Sequence, residues 1–484
     1  MVTKSTFSDV PNDSSLLNGL QALPQWNEYF HSPSGNLLGL YAASVYLPSL
    51  LFAFVGEQIS NRYGRRTAIW VGTIILFAGG VFNAFSQNPG QFIGSRVIIG
   101  SGGSIAKVGA PALLVEIAHP RLRPILGGVY FGLYYSGSLI SAIVCIGGLY
   151  IPGTWGWRLP CLLQCIGPIL VMLFTLTAPE SPRYLLKMGK QEKALTVLSK
   201  YHANGETDDP LVQWELHEIE SALLQEASAR SSYLDFFRTP GNLRRLAVIL
   251  TISVGTNWVG NSLISYYLAP ILRSVGITSA LKITSINAGL GAWNLIVAVS
   301  AGLNVERFGR RPLFLTSFIG MFCSYAIVMG LSATFATSGN TTAGVAVIPF
   351  LFIFYGFYDI ALNPLPYPYT AEILPFALRS KGLALFVCVQ NVAISFNQFV
   401  TPIALAKIQW KYYAVFLCVL LCYILLALLF YRETKGLSLE ESAILYDFDK
   451  KTARIRVAGV FQEEDVKRDI QHVELAEIGK PSVA

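Results

Sequence analysis

Three ionisable side chains of this 484-residue chain stand well inside long apolar runs: Arg96 and Lys107 in one run, Asp359 in another. A charge at the centre of a bilayer costs roughly 2.5–3.5 kcal/mol on insertion scales. Charges kept there are expected to pair or to meet a polar ligand. A second group of residues could bind rather than react. Asn257, Trp258, Asn261, Tyr266 and Tyr267 share one run, Asn287, Trp293 and Asn294 the next, Asn363, Pro364, Pro366 and Tyr367 a third, and Gln390, Asn391, Asn397 and Gln398 a fourth. Amides hydrogen-bond hydroxyls, aromatic rings cover apolar C–H faces, and prolines free backbone groups. A lone Asn in a membrane helix more often joins helices, but this concentration points to collective binding. The chain carries no His/Asp/Ser constellation, metal-ligand cluster, Walker loop or nucleotide fingerprint. No enzyme activity, cofactor or metal is therefore expected.

The elements that must position these groups are membrane helices. Hydrophobic residues make up 53% of the chain and charged residues only 13%, with mean hydropathy +0.49, whereas a soluble domain carries about 25% charged residues. The net charge of +7 does not indicate nucleic acid, because Lys and Arg sit in short clusters between apolar runs. Runs near 36–56, 68–86, 92–117, 125–151, 159–178, 246–272, 283–304, 313–334, 343–367, 383–406 and 411–431 approach the ~20 residues a spanning helix needs. Their continuity favours helices over a barrel. Alternate connections hold Arg62, Arg65 and Arg66, then Arg121 and Arg123, the 180–245 stretch, Arg307, Arg310 and Arg311, and Arg379 and Lys381. These read as cytoplasmic, together with the tail from Glu433.

The chain repeats itself. "NRYGRR" at 61–66 recurs as "ERFGRR" at 306–311, and "EIAHPRLR" at 116–123 as "EILPFALR" at 372–379. "GWR" at 156–158 matches "QWK" at 409–411, and "PESPR" at 179–183 roughly matches "RETKG" at 432–436. Matching landmarks fall on the same side of the membrane, so the repeats are parallel and each holds an even number of helices. Two six-helix halves with a site at their interface follow. The repeat puts the partner of the 246–272 run at the very start of the chain, so the first helix is expected to be truncated, leaving about eleven full spans.

With these landmarks placed, the sequence resembles the sugar porter family of the major facilitator superfamily over nearly its whole length. The residues that carry the resemblance are the two G-R-R loops, "PESPR", "ETKGLSLEE" at 433–441, "YTAEILPFALRSKG" at 369–382, the Tyr266-Tyr267 pair after Gly260, and "NGLQALPQW" near the start. The branch it looks closest to is the fungal lactose-permease-like one. The resemblance implies an all-α membrane protein of the major facilitator fold. Residues 1–20 would be the remnant of the first helix, 21–178 the N-terminal half, 179–245 a cytoplasmic loop with short helices, 246–432 the C-terminal half, and 433–484 a cytoplasmic tail.

It also implies roles. The expected function is transport of a disaccharide or hexose, with proton symport, by alternating access in the plasma membrane. The alternatives are a non-transporting sugar sensor or an inactive truncated chain. Expected partners are the sugar, a proton and the bilayer, with the chain a monomer. Asn257, Asn261, Tyr266, Tyr267, Asn294, Asn363, Tyr367, Asn391 and Asn397 are the expected sugar contacts. Asp13 and Arg96 match a proton-coupling pair, against the alternative that Arg96 merely snorkels to the surface. Apart from the resemblance, Lys107 and Asp359 could pair across the cavity, or Lys107 could neutralise Glu116 or meet substrate. A cytoplasmic gate is expected from Arg65, Arg66, Glu116, Arg123, Glu180, Arg183, Glu306, Arg310, Arg311, Glu372, Arg379 and Glu433. Glu116 and Glu372 would take the loop arginines, and Glu180 and Glu433 would join Arg123 and Arg379. Asn61, where the loop usually has Asp, suggests a weaker N-terminal latch.

Overall fold

The computed structural model describes residues 11–447 apart from 124–125, 127–129, 131, 229–231, 438–441 and 443–444. The tail from 448 and the side chains of Asp13 and Glu306 lie outside the described residues. Every regular element among the described residues is helical. Eight segments are long and apolar enough to cross a membrane, from Arg65–Ala84 to Lys381–Leu429. The last has 49 residues and holds two of the apolar runs, folded as Phe376–Ile408 and Tyr412–Leu429. The helix at the start, Pro11–Ala22, has 12 residues.

Apolar character dictates the spans, and small residues dictate how closely they pack. Helices Arg65–Ala84 and Pro89–Ile117 cross where a Cβ added at Gly102 would stand 2.5 Å from the backbone nitrogen of Leu76. Such close approach of backbones is how membrane helices gain dispersion contacts without a hydrophobic driving force. Contact between the halves runs along two seams. Ala280–Phe308 lies against Tyr134–Gly148, and Phe376–Ile408 against Gly35–Ala43. Pro11–Ala22 bridges them, packed on both Tyr134–Gly148 and Asn261–Ser274.

The polar stretch between the halves folds as Pro182–Lys187, Gln191–His202 and Pro210–Ser228 around Leu185, Ala194, Leu198, Val212 and Leu216. Pro210 opens its helix as the Asp-Asp-Pro sequence predicts, with Asp209 Oδ1 accepting from the Leu211 N–H at 2.8 Å. Tyr201, at helical spacing from Ala194 and Leu198, is exposed, and the cluster closes over Leu198 one turn earlier.

Candidate functional site

The helix of the 246–272 run is broken in the middle. Pro240–Trp258 ends, Gly260 turns the chain at φ 102°, and Asn261–Ser274 begins. A break frees backbone carbonyls, which are costly to leave unpaired in a membrane. Four carbonyls around the break are met from neighbouring helices. Tyr358 donates to the Thr256 carbonyl at 3.0 Å, Asn397 to that of Asn257 at 2.6 Å, Tyr325 to that of Gly260 at 2.7 Å and Tyr355 to that of Asn261 at 2.8 Å. A second irregularity follows at Tyr267 (φ −132°, ψ 29°) and Pro270. Proline has no N–H to give the carbonyl four residues back, so Tyr266 O is open. Gln21 fills it at 2.8 Å, and Asn18 Oδ1 accepts the Leu268 N–H at 3.2 Å. Asn18 also donates to Asn287 at 3.0 Å, Arg273 donates to the Gln21 carbonyl at 2.9 Å, and the Tyr46 and Tyr266 hydroxyls lie 2.7 Å apart. These bonds join the two halves on the side away from the basic loops. Asn18 and Gln21 both belong to the "NGLQALPQW" stretch that carries the resemblance, but the sequence assigned neither a role; Pro270 signals the carbonyl that Gln21 takes.

The expected sugar contacts divide by how far their polar atoms are already occupied. Asn257 donates to Thr256 Oγ1 at 3.1 Å, Asn397 accepts from Thr401 at 2.9 Å, and Tyr267 donates to the Gln398 carbonyl at 2.7 Å. Those side chains hold the fold around the break. Asn261 Oδ1, Asn294 Oδ1 and both amide atoms of Gln398 are buried with no hydrogen-bond partner among the described residues. Asn83 and Gln164, in the other half, also have both amide atoms buried without a partner among the described residues. Gln398, fully buried, stood in the sequence among the fourth run's amides. Asn363 and Asn391 are half-buried, and Tyr367 is exposed just after the Pro364–Pro366 break. Lys107 is exposed in the inner part of Pro89–Ile117, whereas Asp359 is fully buried and takes a hydrogen bond from Tyr135 at 2.7 Å. Arg96 is 1% exposed, and its Nε donates to the Tyr41 carbonyl at 2.6 Å. It does not snorkel.

On the side of the basic loops the same constellation is built twice. Arg65 grips Glu116 with Nε and Nη2 at 3.1 and 3.2 Å, and Arg310 forks onto Oε1 of Glu372 at 3.3 and 3.0 Å. The Ser181 and Thr434 hydroxyls bond the same two carboxylates. The N-terminal pair uses both carboxylate oxygens of Glu116. Glu180 accepts from the backbone N–H groups of Arg65 and Arg66, and Glu433 from those of Arg310 and Arg311 at 2.8 and 3.1 Å. Each acid thus caps a helix start, the position where the helix dipole favours a carboxylate. Arg123, placed with Glu180 in the sequence reading, donates to Glu215 at 2.7 Å. Arg183 and Arg379 are both engaged in further interactions on this side.

Glu215 also holds His202, and this was not legible in the sequence. The ring's Nδ1 meets a Glu215 oxygen, and Nε2 lies 2.9 Å from the Ile117 carbonyl. Both nitrogens face acceptors, so both are satisfied only when both carry protons. Burial pushes the His202 pKa down, but the bonds to Glu215 and Ile117 outweigh it and raise the pKa above its ordinary value, with the Glu215 charge adding and Arg123 opposing. The His119 ring packs edge-on at 5.4 Å. A raised folded pKa gives stability that is complete below about pH 6.5 and lost as pH climbs through the folded value. Proteolysis of the 203–209 loop, normalised to a control peptide, should quicken as pH rises from about 6.5 to 9. His202→Gln should remove that dependence, and an unchanged pH slope in the variant would refute the assignment.

The family model for "Sugar (and other) transporter" matches residues 12–446. The high-affinity glucose transporter of Kluyveromyces lactis is 25% identical over 450 residues, covering 89% of this chain and 81% of that protein. The MFS-type transporter oryC of Aspergillus oryzae is 29% identical over 410 residues, with 83% and 75% covered. The D-xylose-proton symporter of Escherichia coli is 25% identical, with 90% and 91% covered. Among solved structures, the inward open conformation of the xylose transporter XylE from E. coli superposes with TM-score 0.75 at 23% identity, over 92% of this chain and 98% of that one. That agreement establishes the major facilitator fold.

Proposed function

The chain belongs to the sugar transporter family of the major facilitator superfamily, a multi-pass membrane protein and not an enzyme, and from that premise we propose that it carries a hexose or disaccharide across the plasma membrane with a proton, by alternating access. The observation that carries the reading is the broken helix at Asn257–Asn261, ringed by buried amides with unpaired acceptors. Asn261, Asn294 and Gln398 would bond sugar hydroxyls. Asn363, Tyr367 and Asn391 would line the approach, and Asn257, Tyr266, Tyr267 and Asn397 would fix the site's shape. Relatives named for glucose and for D-xylose with a proton support the substrate class and the coupling. The proton would be handled by Asp13, on the Pro11–Ala22 helix, with the buried Arg96.

Uptake of labelled hexoses and disaccharides in a yeast lacking its own transporters tests this. The expected result is saturable uptake with alkalinisation of an unbuffered medium on sugar addition. Surface-expressed protein that moves none of these sugars would refute the proposal, and uptake without alkalinisation would refute the coupling. Asn294→Ala, which removes an unpaired acceptor, should raise KM by about tenfold, in keeping with ~1–3 kcal/mol for one buried polar contact.

A further inference from the structure

One inner-helix face ties the broken helix to the opposite half. Tyr355, Tyr358 and Asp359 stand at i, i+3 and i+4 on the Thr341–Ala361 helix, so they share one side. The two tyrosines take the Asn261 and Thr256 carbonyls, one on each side of the break. Asp359, 0% exposed, receives the Tyr135 hydroxyl at 2.7 Å from Tyr134–Gly148 in the other half. Its second oxygen, Oδ2, has no hydrogen-bond partner among the described residues, and the Asn363 amide adjoins the carboxyl.

Depth gives this bond its meaning. Tyr358, next to Asp359, bonds Thr256, so Asp359 lies level with the inner edge of the break. Asn261, Tyr266 and Tyr267 lie on the far side of that level from the basic loops. Beyond them the halves are joined again by Asn18, Gln21 and Arg273. The candidate sugar site is thus held between the Tyr135–Asp359 bond on one side and the outer set of inter-half bonds on the other.

We propose that the Tyr135–Asp359 hydrogen bond is an intramembrane inner gate, which must break for solute to leave toward the cytoplasm. It is distinct from the arginine–carboxylate clusters, whose Arg65–Glu116 and Arg310–Glu372 pairs each stay within one half. The gate rests on the alternating-access reading above. Tyr135 and Asp359 act as positioning residues, by holding helices rather than touching sugar.

The test uses the full chain in inside-out vesicles, with Asn261→Cys added as a reporter behind the gate. Labelling by a membrane-impermeant maleimide is measured against the chain without that cysteine. Tyr135→Phe and Asp359→Ala should each speed labelling about tenfold, the weight of one hydrogen bond to a carboxyl group. The double variant should be no faster than either single one, because both remove the same bond. Asp359→Asn keeps Oδ1 as an acceptor and should stay within about twofold of the reporter chain. Labelling unchanged by Tyr135→Phe and Asp359→Ala, or Asp359→Asn opening as far as Asp359→Ala, overturns the gate. Sugar uptake run in parallel separates the two readings. Uptake with no labelling change sinks the gate alone, and faster labelling without uptake by the native chain sinks sugar transport alone.

Discussion

Gly260→Ala should unfold the centre of the C-terminal half and reduce uptake at least tenfold. At φ 102° an alanine pays the left-handed penalty of about 1–2 kcal/mol. Its Cβ would also stand 2.2 Å from Cε2 of Tyr325 and 2.7 Å from its hydroxyl. Tyr325 cannot retreat: it is fully buried, and its ring stacks on Phe354 at a centroid distance of 4.1 Å. Overpacking adds roughly 1–3 kcal/mol, and the Tyr325 bond to the Gly260 carbonyl is lost with it. Thermal unfolding in nanodiscs should therefore show a clear drop in midpoint for Gly260→Ala. Tyr325→Phe, which removes only the hydroxyl, should lose about 1 kcal/mol. A Gly260→Ala protein as stable as the parent would show that the chain does not turn here as described.

Glu433→Ala should be among the most damaging single changes on the side of the basic loops. Its carboxylate accepts from the backbone nitrogens of Arg310 and Arg311, and from those of Thr434 and Lys435 at 3.1 and 2.9 Å. Hydrogen bonds to a charged group are worth about 1.5–3 kcal/mol each, and the donors left behind gain water in part. A net loss of roughly 2–3 kcal/mol is expected, with Glu433→Gln intermediate because one oxygen remains. Gly309 adds a constraint: it turns at φ 86°, and a Cβ there would lie 2.9 Å from a Glu433 oxygen. Gly64 stands in the same relation to Glu180 in the other half. Glu180→Ala should consequently mirror Glu433→Ala. Equal stability of Glu433→Ala and the parent, by unfolding midpoint and by protease resistance of the 433–437 segment, would remove the capping role.

Membrane residence and the internal repeat were legible because each is written locally. Apolar run length and short turn motifs need no knowledge of partners. The sequence put Glu116 and Glu372 with the loop arginines but left open which of Arg65, Arg66, Arg310 and Arg311 would reach them; in the structure Arg65 and Arg310 do. The Glu-Ser and Glu-Thr pairs at 180–181 and 433–434 were equally available as a signal, because their hydroxyls complete the same two clusters.

Only the tertiary structure decided which polar group each side chain answers. Asp359 bonds Tyr135, whereas Lys107 is exposed on another helix; which of them meets depends on relative depth and rotation of helices, which spacing along one chain does not encode. Asn257 and Asn397, alike in sequence to Asn261 and Asn294, are occupied by the helix break, while the latter two keep an unpaired oxygen. Arg123 found Glu215 because the short loop helices pack back against the end of Pro89–Ile117. Burial in a membrane makes every freed carbonyl demand a donor. The sequence by itself determined which residues could supply those donors, and helix packing determined which were left over for a ligand.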